Sequence, residues 1–413
     1  MRGARVRLLV EVMVLVFFFV VVPLKHGHQW GDVFTEARGP FPAAFASGAP
    51  VAPAHVVRGT TVQQALVHGL SVQETDSGVR AVNLRTGEEY WHYERRDPKG
   101  LVNAVSVSER TVVVGESDGR LVGIDVRTGK LLWRVDIREE GWRRVVFAGG
   151  QVVTGAPGAV RAFDERDGRS LWTVRTPTSC PQVLVVHVHA LPEGLSAVQV
   201  MCNVVKPEWD TYDLLLGVDQ RTGRVLWRQR TEESVEEAWS GHTRVTEDPE
   251  LERNVQVSDV DRQGVSRRGT LPFVSWDEVA ADDGTVLVGT DAKDRPGDRG
   301  TLLAAYDTRD GHRAWQVRAP AGQEYGAPEI ADGRVYVVRR PFLTEADEGR
   351  RIHAELLVLD ADTGRPLHTL KLPSMKAPDA SDDDEELDIL DIADGALSIG
   401  WRGGGGGLLI AFD

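Results

Sequence analysis

The residues best suited to chemistry are two histidines and two cysteines near the middle of the chain. His187 and His189 alternate within VLVVHVHA, so on a β-strand both side chains point to one face, as two metal ligands would. No third ligand is identifiable, and histidines on a solvated face are the commoner case. Cys180 and Cys202 flank a predicted hairpin around 192–194, and a disulfide in an oxidising compartment is favoured over two buried thiols.

Acidic and inserted segments are the candidates for partner binding. Residues 382–388 read DDDEELD, with Asp379 and Asp391 beside them, and residues 247–252 read EDPELE. The first segment lacks the spaced D-x-D-x-D-G pattern of a calcium loop, so a solvated loop is favoured over a calcium site. An insertion at 341–355 interrupts a predicted hairpin. Such loops are expected to project from one rim of the fold and to set partner specificity.

The composition and the missing motifs exclude several functional classes. The chain has 413 residues and a formal net charge of −14, which argues against nucleic-acid binding because that needs a basic face. No HExxH motif, Ser-His-Asp order or phosphate-binding loop is present, and the glycines at 403–407 are interpreted as a hairpin turn. No catalytic residue and no metal site are therefore assigned.

A short signature repeated six times must position these residues. It consists of an acidic residue (asparagine once), a glycine four residues later and, in five units, a tryptophan eight residues later. The units contain Asn83, Gly87 and Trp91; Asp125, Gly129 and Trp133; Asp164, Gly168 and Trp172; Asp219, Gly223 and Trp227; Asp307, Gly311 and Trp315; and Asp360, Gly364 and, at the tryptophan position, His368. Self-similarity at this period decides the architecture before any single motif does.

Each unit is predicted to be two antiparallel strands joined by a tight turn. The acidic side chain accepts hydrogen bonds from N–H groups of the turn, and the glycine takes the positive φ that closes it. A second hairpin lies upstream of each signature, so every period supplies four strands and no helix. Four short strands per period, with glycine at nearly every turn, predict the blades of an all-β propeller.

The spacing of the units predicts the number of blades. Signatures begin 39 to 55 residues apart except for one interval of 88 residues, inside which a degenerate unit ends at Leu271. Eight blades are predicted, or seven if the degenerate unit is an insertion. The last unit ends with Asp413, so the N-terminal part must supply its outer strand if no open edge is to remain. Val51–Val57 is the first candidate for that strand, and Trp30–Thr35 is the alternative.

These units resemble the pyrroloquinoline-quinone-like (PQQ-like) repeat, whose consensus is a short strand, a D-x-x-T-G turn and a tryptophan. The resemblance covers nearly everything from about residue 60 to the C-terminus. It implies that the five tryptophans dock neighbouring blades together and that docking at His368 is weaker. Two groups share the fold: quinoprotein dehydrogenases, and non-enzymatic propellers of the BamB-like group, which serve as scaffolds in outer-membrane barrel assembly.

The same resemblance separates a favoured function from its alternatives. Quinoprotein dehydrogenases typically carry two adjacent cysteines over the cofactor, whereas this chain has only Cys180 and Cys202. No cofactor is therefore predicted, and PQQ and calcium enter only if the chain is a dehydrogenase with a divergent cofactor site. The favoured function is a non-catalytic scaffold that binds an unknown protein or cell-envelope ligand. A sensor of an extracellular ligand is the third hypothesis.

The N-terminus predicts a membrane anchor. Residues 1–7 carry three arginines and precede an almost wholly apolar run at 8–24. The run lies at the lower limit for crossing a bilayer, and the flanking charges place residues 1–7 in the cytoplasm. A single-pass anchor is favoured over a cleaved signal peptide because no small-x-small site follows the run directly. Residues 25–50, rich in Pro, Gly and Ala, would then be a tether to an extracytoplasmic propeller at 51–413.

Overall fold

Most of the described part of the chain is β-structure. The computed structural model describes residues 31–42, 53–60, 64–96, 102–137, 144–204, 210–231, 237–247, 254–272, 279–281, 286–291, 300–343, 349–377, 387–393, 395–401 and 406–412. Within these ranges the only helix is a 3-10 turn at Pro192–Gly194, and nothing there is a helix long and apolar enough to cross a membrane. The predicted anchor at 8–24 lies outside the described residues.

Among the described residues, thirty-six strands form eight sheets of four or five strands and one two-stranded ribbon. The first four sheets follow one another along the chain. Sheet 1 contains β1 (Val33–Thr35), β3 (Gln64–Val67), β4 (Leu70–Thr75), β5 (Gly78–Asn83) and β6 (Glu89–Glu94). Sheet 2 contains β7 (Val102–Val107), β8 (Thr111–Glu116), β9 (Arg120–Asp125) and β10 (Leu131–Asp136). Sheet 3 contains β11 (Val145–Ala148), β12 (Gln151–Ala156), β13 (Ala159–Asp164) and β14 (Ser170–Arg175), and sheet 4 contains β15 (Gln182–Leu191), β16 (Leu195–Val204), β17 (Asp210–Asp219) and β18 (Val225–Thr231).

The remaining sheets continue this order, and the last one also takes a strand from the N-terminal part. Sheet 5 contains β19 (Glu237–Ser240), β20 (Thr243–Glu247), β21 (Asn254–Val260) and β22 (Val265–Pro272), and sheet 6 contains β23 (Val279–Ala281), β24 (Val286–Asp291), β25 (Leu302–Asp307) and β26 (Arg313–Arg318). Sheet 7 contains β27 (Gln323–Tyr325), β28 (Glu329–Ala331), β29 (Arg334–Pro341), β31 (Glu355–Asp360) and β32 (Pro366–Lys371). Sheet 8 contains β34 (Leu387–Ala393), β35 (Ala396–Trp401), β36 (Gly406–Phe412) and β2 (Pro53–Thr60), while β30 (Arg351–Ile352) and β33 (Met375–Lys376) form the ribbon.

The sheets are arranged in a closed ring. Eight clusters of buried apolar side chains occur among the described residues, and each lies between two successive sheets. The smallest joins sheet 8 to sheet 1 through Ala396, Leu66 and Leu84. First strands of neighbouring sheets contact one another, as β3 does with β7 and with β34, so they line the centre of the ring. The prediction of an all-β propeller with four-stranded blades is confirmed.

A strand from the N-terminal part closes the ring. Strand β2 pairs antiparallel with β36 and is the outer strand of sheet 8, in agreement with the predicted Val51–Val57. The alternative segment, Trp30–Thr35, contributes β1, which pairs with β6 as a fifth strand of sheet 1. Pairing between the two ends of the chain removes the free edge that the last sheet would otherwise present.

Part of the predicted tether at 25–50 lies against the ring. The Asp32 carboxylate is 3% exposed and pairs with Arg120 at 3.2 Å and with Arg134 at 2.7 Å. The Phe34 ring lies 4.8 Å from the ring of Tyr93. A linker-like composition does not reveal such contacts, because they depend on partners about 60 to 100 positions away in the sequence.

The ring has two faces. The turn face carries the signature turns, which join third and fourth strands, together with the turns between first and second strands. The loop face carries the other connections. The candidate partner-binding segments 247–252 and 341–355 connect strands that end at the loop face, and 379–391 leads from that face into β34, although many of their residues lie outside the described ranges. Asp388 and Asp391 lie on β34, so the predicted solvated loop does not extend to them.

Candidate functional site

The signature turns share one geometry. In all six, the glycine N–H donates to the carbonyl oxygen four residues earlier at 2.8–2.9 Å. In the second unit, Asp125 Oδ1 accepts hydrogen bonds from the backbone N–H of Arg127 (3.1 Å) and of Thr128 (2.8 Å) and from the Thr128 hydroxyl (2.8 Å). Gly129 has a φ of 67°, in the left-handed region that favours glycine. The residues of the signature therefore hold the turn together locally.

Two of the signature carboxylates, those of Asp219 and Asp307, are ionised parts of this frame. Hydrogen bonds from Thr222 and from Arg262 lower the pKa of Asp219 to about 2. The hydrogen-bonded guanidinium of Arg309 likewise lowers the pKa of Asp307 to about 2. A carboxylic acid with such a pKa holds no proton to donate near neutral pH, so these residues do not serve as general acids.

The five signature tryptophans lie at junctions between successive sheets. Each indole N–H donates to a backbone carbonyl in the signature or degenerate turn of the next sheet, at 2.7–3.1 Å. The donor–acceptor pairs are Trp91 with Val126, Trp133 with Glu165, Trp172 with Gln220, Trp227 with Asp261 and Trp315 with Ala361. This is the place at which the PQQ-like repeat puts its docking residues.

Small residues on both sides make room for each indole. On the tryptophan's own sheet the residue opposite it is always glycine or alanine, namely Ala81, Gly123, Ala162, Gly217 and Ala305. A Cβ on Gly123 would lie 2.2 Å from the Trp133 ring. On the facing turn, a Cβ on Gly129 would lie 2.7 Å from Trp91. The signature glycine is therefore required for close approach as well as for its φ.

Two of the sheets without a signature tryptophan, sheets 5 and 7, also lack the small residue opposite. By strand register, Gly269 and His368 take the tryptophan position in sheets 5 and 7, opposite Val257 and Val358. The side chain of a valine would occupy the volume that an indole needs. The change from glycine or alanine to valine is a signal in the sequence that could have located these exceptions.

Sheet 5 fills its junction with sheet 6 in another way. The Leu271 side chain lies 3.2 Å from where a Cβ on Gly311 would be, so a leucine packs against the next signature glycine. Arg268 Nη1 donates to the carbonyl of Thr308 at 3.3 Å, which is the kind of acceptor that an indole takes at the other junctions. Leu271 thus supplies the packing, and Arg268 the hydrogen bond, that a tryptophan supplies at the other junctions.

The two cysteines stabilise the junction between sheets 3 and 4. Cys180 and Cys202 are joined by a disulfide across 22 positions, with their Cα atoms 4.9 Å apart. Both are fully buried in the apolar cluster shared by these two sheets. The bond therefore links the segment before β15 to β16 inside the core.

The two histidines do not assemble a metal site within the described residues. His189 Nε2 lies 3.1 Å from the carbonyl oxygen of Gly241, and the imidazole stacks on Trp239 with ring centroids 4.9 Å apart. Desolvation lowers the pKa of His189 and so disfavours the charged form of the ring. His187 is exposed on the same strand. No group of three or more His, Cys, Asp or Glu side chains in the described ranges is arranged to hold a metal ion.

Three carboxyl groups lie on the inner strands where sheets 7, 8 and 1 meet. Asp391 Oδ2 accepts from the Leu66 N–H at 2.6 Å, and Asp388 Oδ1 accepts from the Ala327 N–H at 2.9 Å. Burial, followed by the charges of Asp391 and Asp388, raises the pKa of Glu329 to about 7. Glu329 therefore exchanges its proton near neutral pH, a property that no local pattern around it predicts.

These groups fit a quinone–calcium site poorly. Calcium takes six to eight oxygen ligands, whereas these three carboxyl groups are not arranged to hold a metal ion in the described part of the chain. The disulfide uses both cysteines of the chain, so no adjacent pair exists to cover a quinone. The sequence therefore lacks the adjacent cysteine pair that the resemblance associates with quinoprotein dehydrogenases.

Comparison with known proteins defines the family. The profile of the family described as outer membrane protein assembly factor BamB matches residues 75–201, 156–267 and 213–387. The chain therefore belongs to this family of PQQ-like propellers. The matched ranges overlap and together cover sheets 2 to 7 and part of sheets 1 and 8, which agrees with the extent of the repeat.

Individual relatives come from both groups that share the repeat. BamB of Nitrosomonas eutropha is 34% identical over 88 residues, which cover 21% of each chain. Quinohemoprotein alcohol dehydrogenase ADH-IIG of Pseudomonas putida is 30% identical over 129 residues, covering 26% of this chain and 18% of the dehydrogenase. This chain thus spans about a fifth of the length of these relatives. The crystal structure of BamB from Moraxella catarrhalis superimposes with a TM-score of 0.50 at 13% identity, covering 87% of this chain and all of that one, which shows the fold alone.

Proposed function

We propose that this protein is a non-catalytic binding scaffold held at a membrane outside the cytoplasm, with each of its eight sheets forming one propeller blade. The observation that carries the proposal is the disulfide, which ties the only two cysteines together within the core. It supports an oxidising compartment, since such bonds are rare in the cytosol. The same two cysteines are 22 positions apart, so this chain lacks the adjacent pair typical of the dehydrogenase alternative.

The direction of β1 supports a particular orientation at the membrane. β1 runs antiparallel to β6, so its Val33 end lies at the loop face. An anchor at 8–24 leaves eight residues, 25–32, before β1, and these span at most about 29 Å. The loop face, with its acidic segments, would then lie close to the membrane surface and to partners that are themselves embedded there.

A cofactor titration tests the non-catalytic part of the proposal. The full chain in detergent micelles is titrated with PQQ and calcium while tryptophan fluorescence and visible absorbance are followed, with a quinohaemoprotein alcohol dehydrogenase apoprotein as the positive control. No saturable change is expected for this chain. Saturable binding at micromolar or lower concentration would instead establish the dehydrogenase alternative, which the similarity to ADH-IIG keeps in view.

Deletion of loops tests the scaffold itself. Partners are captured by proximity labelling from the anchored protein, and the labelled set is compared with that of variants shortened within the loops 341–355 and 379–391, at 344–348 and at 379–386, which leaves every described strand intact. Loss of specific partners with unchanged thermal unfolding is the expected result. Unchanged labelling by both shortened variants would reject binding through these loops. Protease protection of the propeller in intact cells tests its extracytoplasmic location.

A further inference from the structure

A small basic cleft lies on the turn face, between sheets 2 and 3. It encloses about 210 Å³, and its lining residues come from the signature turns of both sheets and from the neighbouring hairpin. They are Arg110, Thr111, Asp125, Arg127, Leu132 and Arg166. Three arginines against one aspartate give the cleft a positive charge in a protein whose formal net charge is −14.

The positive charge of the cleft is not neutralised by the chain. Among the described residues, neither the Arg110 nor the Arg166 side chain has a carboxylate partner, and Arg127 stacks its guanidinium 4.9 Å from the centre of the Phe41 ring. Asp125 is the one aspartate of the lining, and its Oδ1 already accepts two hydrogen bonds from Thr128 within the turn. Three guanidiniums with unused donors favour the approach of an oxyanion.

The backbone holds the three arginines in place. The carbonyl of Arg110 accepts from the Val126 N–H at 2.9 Å, which ties the hairpin to the signature turn of the same sheet. Arg127 and Arg166 occupy the same position of two successive signatures, and each donates its own N–H to the aspartate of its turn, at 3.1 and 2.9 Å. Their Cα atoms are therefore fixed before any ligand binds, which lowers the entropic cost of binding.

An exposed apolar pair lies beside the arginines. Leu131 and Leu132 are 41% and 42% exposed, and Leu390 in sheet 8 is the only other large hydrophobic side chain so exposed in the described ranges. Leu132 also lines the cleft. A free phosphate or another small anion would use the guanidiniums but would leave these two leucines in water. The combination of charge and apolar surface fits a peptide.

We propose that this cleft binds an acidic segment of a partner protein, with a carboxylate among the three arginines and an adjacent apolar side chain on Leu131 and Leu132. The proposal deepens the scaffold function and rests on it, because it names the chemistry of one partner. In this arrangement the turn face binds an acidic segment of the partner, whereas the chain's own acidic loops lie at the loop face.

Peptide binding to the full chain in detergent micelles tests the proposal. The probes are an array of fluorescent peptides of about ten residues, in which Asp or Glu alternates with Leu at spacings from one to four. Matched arrays replace the acids by Lys or the leucines by Ser, and inorganic phosphate serves as a competitor. We expect saturable binding of acidic–apolar peptides alone, weakened as NaCl rises from about 0.15 to about 1 M.

Substitutions then locate the binding. Arg110→Gln and Arg166→Gln should each weaken the best peptide at least about tenfold, as expected for a charge-assisted hydrogen bond, and Leu132→Ser should weaken it several-fold. Arg169→Gln is the matched control, since Arg169 lies in the same turn as Arg166 but outside the lining. Failure of every acidic peptide to bind, equal binding of Lys peptides, or equal effects of Arg166→Gln and Arg169→Gln would overturn the proposal. None of these outcomes depends on PQQ binding, so the titration with PQQ and calcium tests the scaffold function independently of this proposal.

Discussion

Replacing Trp91 is expected to weaken the junction between sheets 1 and 2, because the indole contributes both buried apolar surface and a hydrogen bond to that junction. The indole is fully buried, it donates to the carbonyl of Val126 at 2.7 Å, and a Cβ on Gly129 would come within 2.7 Å of it. Removal of a buried aromatic side chain costs about 3–5 kcal/mol in the free energy of unfolding, so Trp91→Ala should fall in that range. Trp91→Phe keeps most of the ring but leaves the Val126 carbonyl without its donor, which costs about 1–3 kcal/mol.

Guanidinium unfolding and hydrogen exchange measure these effects. The midpoint and slope of the unfolding curve give the change in free energy, and exchange at Val126 and Gly129 reports the opening of the next turn directly. His368→Ala is the matched control, because this half-buried side chain occupies the equivalent position opposite Val358. It should cost less than about 1 kcal/mol. A Trp91→Phe variant indistinguishable from the native chain, or a His368→Ala variant as unstable as Trp91→Ala, would refute the docking argument.

Three further predictions concern the degenerate unit, the inner wall and the core. Gly269→Trp should destabilise the protein by itself, because Val257 opposes that position, and should do so by at least about 1 kcal/mol less in a Val257→Ala background. In the folded protein the pKa of Glu329 is raised to about 7 from its usual 4.5, so the buried carboxylate lowers the free energy of unfolding as pH rises through that range. Glu329→Gln should therefore increase the free energy of unfolding by up to about 3 kcal/mol near pH 8 and change it little near pH 4. Replacing Cys180 and Cys202 by alanine, which opens a link across 22 positions, should cost about 2–4 kcal/mol.

Each of these predictions has a clear contrary outcome. Additive effects of the substitutions at 257 and 269 in unfolding experiments would show that the valine does not exclude an indole. A Glu329→Gln variant with the same dependence of unfolding free energy on pH as the native chain would place the titration elsewhere, for instance at Asp391, whose pKa is also raised by burial. Reduction of the native protein that leaves its unfolding midpoint unchanged would show that the disulfide adds no stability.

The repeat made much of the fold and part of the site predictable. Acid, glycine and tryptophan recur at fixed spacing, and each acts through contacts within a few residues or with the next unit. Turn positions and the hairpins around them follow from such local chemistry. The sequence also contains the difference between a glycine or alanine opposite each tryptophan and a valine opposite the positions that lack one. That difference can be recognised only once the strand register is known.

The sequence by itself determined the repeating β-architecture, the turn residues and the need for an outer strand from the N-terminal part. These follow from periodicity and from the rule that a ring must leave no open edge. Only the tertiary structure decided that Asp32 and Phe34 dock on the ring and that Leu271 and Arg268 replace a tryptophan. It likewise brought the charges of Asp388 and Asp391 to act on Glu329, and Arg110 and Arg166 into one cleft. The physical reason is that these groups meet across junctions between strands distant in the chain, where burial and neighbouring charge, rather than local sequence, set their chemistry.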